Sequence, residues 1–232
     1  MKKALVIILI GLISLNSFGQ KVSKKDYLVT METSKGTMHL ILFDETPLHK
    51  SNFLKLAKEE AYDGTIFHRV IKEFMIQGGN LATKTDAQGT RSVSVNHEED
   101  RIPYEFVPEH VHIKGALAAA RTNNPKKESS FSQFYIVTGK KYSAKQMQGM
   151  KAKSELDYTD EQVKAYQELG GTPFLDNNYT VFGQVIDGIE TTDKIEKVET
   201  SRGDKPTEDI TMKVSVKKMR KKKITKMYGY QY

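Results

Sequence analysis

Phe67-His68-Arg69-Val70-Ile71-Lys72-Glu73-Phe74-Met75-Ile76-Gln77-Gly78-Gly79 is the stretch whose reading decides the fold. It reads as two short apolar strands, broken at Lys72-Glu73 and closed by a glycine pair. Side chains alternate between the two faces of a strand, so Met75 and Gln77 share a face, and Arg69 shares one with Phe67 and Ile71. Folding back at Lys72-Glu73 brings one guanidinium, one amide and several apolar groups together. Arginine is seldom buried without a partner. Two readings stand on this segment alone: an edge strand whose Arg69 snorkels to water, or one wall of a site.

Upstream, residues 27–33 and 37–43 are strand-like runs joined at Ser34-Lys35-Gly36, where Gly36 supplies the positive φ of a hairpin turn. Thr46-Pro47 starts a helix, with Thr46 as N-cap and Pro47 in the first turn. Phe53, Leu56, Ala57 and Ala61 continue it at helical spacing over about 12 residues. Downstream, residues 81–96 are polar and read as an exposed loop. The run 111–120 is open between two states: its alanines favour helix, whereas Val111-His112-Ile113 and Gly115 favour a buried strand of small residues. Residues 132–138, 179–185 and 211–219 read as strands, and 189–195 as a short helix. Residues 140–171 differ in kind. They are charged and helical, with two capping boxes, Ser143 to Gln146 and Thr159 to Gln162. Met147 and Met150, then Val163 and Tyr166, form narrow apolar stripes suited to packing a helical hairpin on the domain surface. At least seven short strands argue for a mainly β barrel or sandwich rather than a parallel α/β sheet.

With 232 residues, 38% hydrophobic and 28% charged, the composition is that of a soluble globular chain. Its net charge of +7 is unevenly placed. Lys2 and Lys3, with Lys217, Lys218, Arg220, Lys221, Lys222, Lys223 and Lys226, stand in end segments free of acids; setting those nine cations aside turns +7 into −2. Residues 220–232 are thus a basic tail, expected to be a solvated terminus or to touch an anionic membrane surface weakly. Lys2-Lys3, the apolar run 4–15 and Ser17-Phe18-Gly19 before Gln20 have the pattern of a signal peptide over residues 1–19. The run is shorter than the ~20 residues that span a bilayer. Residues 20–26 are then a linker. The absence of cysteine excludes disulfides, thiol catalysis, thiolate metal sites and a lipidated cysteine. The expected location is the periplasm, with full secretion as the alternative.

Motifs of hydrolases, phosphate-binding loops, zinc proteases and dinucleotide-binding folds are absent from the sequence. Of the six histidines (His39, His49, His68, His97, His110, His112), His110 and His112 would share a strand face but lack carboxylate or cysteine partners at a metal-binding spacing. His68 reads as a buried structural histidine, and no activated nucleophile can be assembled from the sequence. What remains is a cation, two amides (Gln77, Gln133) and many aromatics, which suit a reaction needing no nucleophile, base or cofactor. Rotation about an X–Pro bond is such a reaction. Its barrier is about 18–20 kcal/mol because amide resonance is lost on twisting. The twisted prolyl nitrogen regains a lone pair, and an arginine aimed at it stabilises the transition state more than the ground state.

Taken together the segments resemble the cyclophilin-type peptidyl-prolyl isomerases. The likeness rests on 67–71 and 74–79, on Gly115-Ala116-Leu117-Ala118 with Ala120, on Ser132-Gln133-Phe134-Tyr135-Ile136, on Thr172-Pro173-Phe174-Leu175-Asp176 and on Val181-Phe182-Gly183. The resemblance implies a closed eight-stranded antiparallel β-barrel capped by two helices over residues 27–219, with 140–171 as a helical insertion. It implies Arg69 as the catalytic guanidinium and Gln77 as the partner of the substrate carbonyl. Phe74, Met75, Phe174 and Leu175 would wall the proline pocket, with Tyr135 where the family usually has Phe. Gln133 and Ala120 would line the adjoining groove. Arg121 stands where many members have Asn, Phe131 replaces a common Gly, and Tyr179, which would face the far wall, stands where many have His. The implied substrates are proline-containing unfolded or partly folded proteins, met by a monomer without cofactor, metal or nucleic acid. A proline-peptide binding module with little turnover is the alternative.

Overall fold

The computed structural model describes residues 23–85 and 101–232. The signal-peptide reading of 1–19, the start of the linker, His97 and the loop from 86 onward to 96 lie outside these residues.

Eight strands form one antiparallel sheet: β1 (Lys25–Thr33), β2 (Gly36–Leu42), β3 (Arg69–Ile71), β4 (Met75–Gly78), β5 (Ala116–Ala119), β6 (Phe134–Val137), β7 (Val181–Asp187) and β8 (Met212–Arg220). Their spatial order is β3-β4-β6-β5-β7-β2-β1-β8. The expected closed barrel is not formed as a continuous ladder. β3 has only three residues, and its Val70 N–H turns to the carbonyl of Asp204, 2.8 Å away. The irregular segment before β3 meets β8 instead, through an Ile66–Thr211 bridge and bonds from Phe67 N to Ile210 O (3.0 Å) and from Met212 N to Thr65 O (2.9 Å).

Alternation along β1 and β2 sends Val29, Met31, Met38, Leu40 and Leu42 inward, where they meet Phe53, Leu54, Leu56 and Ala57 of helix α1 (Pro47–Lys58). The anticipated Thr46 cap is replaced. Thr46 Oγ1 turns back to the Phe43 carbonyl, and the Glu105 carboxylate accepts from the N–H groups of Leu48 and His49, both at 3.0 Å. A carboxylate at a helix N-terminus also meets the positive end of the helix dipole.

The ambiguous run resolves as the buried strand β5. Leu117 and Ala119 join the inner core, while Ala116 and Ala118 join a second apolar cluster on the outer face. The opening stretch holds a surprise. Phe67 and Val70 both enter the inner core, so Phe67 does not share a face with Arg69. Regular alternation begins only at Arg69, and the chain twists across His68. The insertion contains α2 (Ala144–Ser154) and α3 (Asp160–Glu168), each opened by the capping box read from the sequence. Met147 and Tyr166 are buried with Val111 and Tyr142, flanked by Met150 and Val163. After β7, α4 (Glu190–Glu196) inserts Ile195 into the inner core.

The basic tail is not a solvated terminus. Residues beyond β8 form α5 (Lys221–Tyr228), whose Ile224 is fully buried on the outer face of the sheet against Leu28 and Ile41. Gly229 ends the helix at φ 73°, a left-handed position that glycine adopts freely.

Burial lowers the pKa of His49, His68 and His110; at His49 and His110 the neighbouring carboxylates oppose the shift without cancelling it, as does a backbone bond to Ile66 at His68. The unfolded chain therefore binds more protons than the folded one below the ordinary histidine value of about 6.5. Stability is fully present above that pH and falls as pH drops through the lowered folded values. Urea denaturation at pH 7.5 and 5.5 is expected to give a lower midpoint at 5.5, with a shallower difference in His49→Gln.

Candidate active site

Register builds the site. Arg69 lies opposite Gln77, and Ile71 opposite Met75, across the β3–β4 hairpin. The turn between them is made by Glu73 at φ 57°, with Phe74 N–H donating to the Ile71 carbonyl. Gln77 then pairs with Tyr135 of β6, and Tyr135 with Ala118 of β5. Arg69, Gln77 and Tyr135 thus form a row across three adjacent strands, all on the outer face. That face carries the second apolar cluster, Met75, Ala118, Ala120, Tyr135 and Val181, with Phe74, Leu175 and Tyr179 packed against it.

A depression of about 90 Å³ opens over the row. Arg69 and Gln77 form one side, Phe74, Met75 and Tyr135 line the apolar part, and Ala120, Arg121, Leu175 and Tyr179 complete it. An adjoining groove of about 140 Å³ shares Gln77, Ala120 and Arg121 and adds Gln133, Arg101, Thr122, Ser130 and Phe131. All but one of the site residues named from the sequence are therefore around these two connected hollows. Phe174 is the exception. It is 46% exposed and lines neither; its ring stacks on Phe74 with centroids 5.7 Å apart, so it buttresses a wall from outside.

The polar groups are held in place. Arg69 Nε donates to Asp204 Oδ2 at 3.3 Å, and among the described residues its two terminal nitrogens make no hydrogen bond. Gln77 Nε2 donates to Gln133 Oε1 at 3.0 Å, and among the described residues its second N–H has no partner, so it can meet a ligand. Arg121 Nε donates to the Asn178 carbonyl at 3.1 Å while the guanidinium lies 4.5 Å over the Tyr179 ring. Burial, with Tyr179 and Asp176 nearby, pushes the Tyr135 phenol far above its usual range, so it stays a neutral hydroxyl.

His110 and His112 do not share a strand face. His110 stacks on Phe43 and reaches Glu45, whereas His112 is fully buried between Asp176 and Tyr135. Among the described residues no cluster of three His, Asp or Glu side chains could hold a metal.

Two buried networks have no signature in the sequence. In one, His49 Nδ1 lies 2.7 Å from Glu105 Oε2 and Nε2 lies 2.9 Å from Ser129 Oγ, the connectivity of an acyl-transfer triad. Ser129 is 2% exposed and the hollow beside His49 measures about 10 Å³, so no substrate reaches it. It ties α1 to the segments at 105 and 129. The other joins His112, Asp176 and three tyrosines behind the pocket. Phe131, noted from the sequence as replacing a common Gly, lines the groove, whereas Arg101, Thr122 and Ser130 were not named as lining residues; their strand-free surroundings leave no periodic signal.

The sequence pattern of the family described as cyclophilin type peptidyl-prolyl cis-trans isomerase/CLD matches residues 28–216. A putative peptidyl-prolyl cis-trans isomerase of Staphylococcus aureus is 37% identical over 194 residues, covering 83% of this chain and 92% of that protein. A putative bifunctional phosphatase/peptidyl-prolyl cis-trans isomerase of Streptococcus pyogenes is 43% identical over 188 residues; the match covers 78% of this chain and only 37% of that longer protein. Among solved structures, a cyclophilin type isomerase of Cryptosporidium parvum, crystallised in the presence of the dipeptide Ala-Pro, has a TM-score of 0.58 at 26% identity, covering 82% of this chain and 98% of that one. A matching family pattern over most of the chain, a relative matched along nearly its whole length and a shared fold agree: the chain belongs to the cyclophilin-type peptidyl-prolyl cis-trans isomerases.

Proposed function

We propose that this chain accelerates rotation of X–Pro bonds during the folding of exported proteins, with Arg69 donating to the prolyl nitrogen. The observation that carries the reading is the row across β3, β4 and β6: a guanidinium whose terminal N–H groups are unengaged among the described residues, beside an amide, at the rim of an apolar hollow of about 90 Å³. The hollow receives the proline ring against Met75 and Tyr135. Gln77 holds the substrate carbonyl with its free N–H. As the bond twists, the nitrogen lone pair emerges toward Arg69, so the interaction strengthens on the way to the transition state. The Ala-Pro dipeptide used with the similar Cryptosporidium structure supports the substrate class. Exchange NMR on an Ala-Pro-containing peptide tests the reading: cis and trans signals are expected to exchange in the presence of catalytic amounts of protein. Binding without exchange would instead favour a proline-peptide binding module.

Export is supported by the pattern of residues 1–19 and the absence of cysteine. Terminal sequencing of the mature protein is expected to begin at Gln20. The exposed cations Lys222, Lys223 and Lys226 surround exposed Met227 on the solvent side of α5, suiting a weak, salt-sensitive contact with an anionic bilayer. Such contacts contribute about 1 kcal/mol per cation. Because β8 pairs with β1 as far as Arg220, truncation would damage the sheet, and substitution is the better test. Replacing the three lysines with glutamine is expected to abolish co-sedimentation with phosphatidylserine-containing vesicles at low salt and to leave unfolding unchanged.

A further inference from the structure

The second buried network ties the helical insertion to the proline pocket. Asp176 is 1% exposed and accepts four hydrogen bonds. Its Oδ1 takes the backbone N–H of His112 at 2.8 Å and His112 Nδ1 at 2.7 Å. Its Oδ2 takes the hydroxyls of Tyr158 at 2.8 Å and Tyr166 at 2.6 Å. Tyr166 is on α3 and Tyr158 on the link from α2, so half the donors come from the insertion. The Tyr166 phenol is driven well above its usual range, chiefly by burial and then by Asp176, which fixes it as a donor.

Asp176 touches the pocket by two routes. Along the chain it follows the 3-10 turn Pro173–Leu175, and Leu175 is a pocket wall. Through space it fixes His112. With Nδ1–H directed at the carboxylate, Nε2 is left as an acceptor, and the Tyr135 hydroxyl donates to it at 2.9 Å. The Tyr135 hydroxyl is thereby committed to His112 while Tyr135 lines the hollow. The 172–176 segment and His112 are joined again by Thr172 N to His112 O at 2.8 Å. They are so close at Gly171 that an added Cβ would lie 2.2 Å from the His112 carbonyl oxygen.

We infer that Asp176 is a positioning residue for the proline pocket, and that the α2–α3 insertion, through Tyr158 and Tyr166, sets the place of Leu175 and Tyr135. The inference rests on the hollow being the proline site. It makes the insertion part of the pocket's framework, so a displacement of these helices changes proline binding although neither helix touches the ligand.

The test is the double variant Tyr158→Phe, Tyr166→Phe in the full chain, which removes both insertion donors and keeps both rings. Methyl NMR reports Leu175 and Met75, and titration with an Ala-Pro-containing peptide reports binding without requiring turnover. The expected result is a folded protein with displaced Leu175 methyl signals and unmoved Met75 signals, since Met75 is held by β3 and β6 instead. The peptide Kd, and KM in an activity assay, rise about tenfold, the effect of losing hydrogen bonds to a buried charge. The kcat value stays within about twofold of wild type, because Arg69 and Gln77 do not hang on Asp176. A folded double variant with unchanged Kd and unchanged Leu175 signals overturns the inference. Should the double variant fail to fold, Tyr158→Phe decides: displaced Leu175 signals with a Kd raised about threefold support it, and wild-type values overturn it. A wild type that binds peptide without exchanging its isomers would refute the catalytic reading and leave this one standing.

Discussion

Arg69→Ala is expected to lower kcat/KM on an X–Pro peptide about 10²–10³-fold, the usual cost of removing one preorganised donor from a transition state. The fold should hardly register the change. The Arg69 side chain is 43% exposed and its partner Asp204 44%, and ion pairs of this kind contribute about 0–1 kcal/mol. For a chain of this size that is a shift of at most about 2–4 °C in Tm. The separation of the two effects is the diagnostic feature. Arg69→Lys keeps the positive charge but not the planar fork whose terminal N–H groups can point elsewhere while Nε is engaged with Asp204. It should fall between alanine and wild type. A protease-coupled prolyl assay on the three proteins, with unfolding measured alongside, checks this; wild-type activity in Arg69→Ala would dispose of the guanidinium mechanism.

The reverse separation is expected at Phe134. This ring is 1% exposed and sits inside the sheet, edge-on to Phe53 at 5.8 Å, Tyr62 at 5.6 Å and Phe67 at 6.4 Å between centroids. Those neighbours come from α1, from the segment after it and from the approach to β3. They cannot collapse together into the space a missing ring leaves. Tyr62 is further held by its hydroxyl on the Ser132 carbonyl at 3.3 Å. Phe134→Ala should therefore cost about 3–5 kcal/mol, a large part of the roughly 5–15 kcal/mol that holds a domain folded. Urea denaturation measures it. Phe174→Ala, which removes an exposed ring outside the pocket, should stay within about 1 kcal/mol. Equal losses at the two positions would contradict the assignment of Phe134 to the core centre.

What could be read from the chain alone was whatever is local. The β1–β2 hairpin, α1 and both capping boxes depend on residues within a few positions of one another, and they stand where the pattern puts them. The pairing of Arg69 with Gln77 needed only one short turn. Long-range polar contacts were invisible. His49 meets a serine 80 positions away, and His112 an aspartate 64 positions away, and neither spacing has a periodic signature. Phe67 was misplaced because alternation was extended backward past the true start of β3. The tail misled for a different reason. Its cations dominate its composition, yet buried Ile224, with Tyr228 and Tyr230 packed beside it, seats a short helix on Leu28 and Ile41 of the sheet. Phe174 followed the family's arrangement in order but not in contact, since its ring rests on Phe74 instead of facing the hollow.

The pairing of β1 with β8 runs from Lys25 opposite Arg220 to Thr33 opposite Met212. The first strand thus receives its outer neighbour from residues about 180 positions further along the chain. β2 also waits, for β7. A nascent chain can form its hairpins and α1 as it emerges, but the sheet cannot be assembled before β7 and β8 are available. Pairings across such long loops are entropically costly to close and slow to form. Until then β1 and β2 each lack an outer neighbour, so closing the two ends of the chain onto one another is the step on which assembly of the sheet waits.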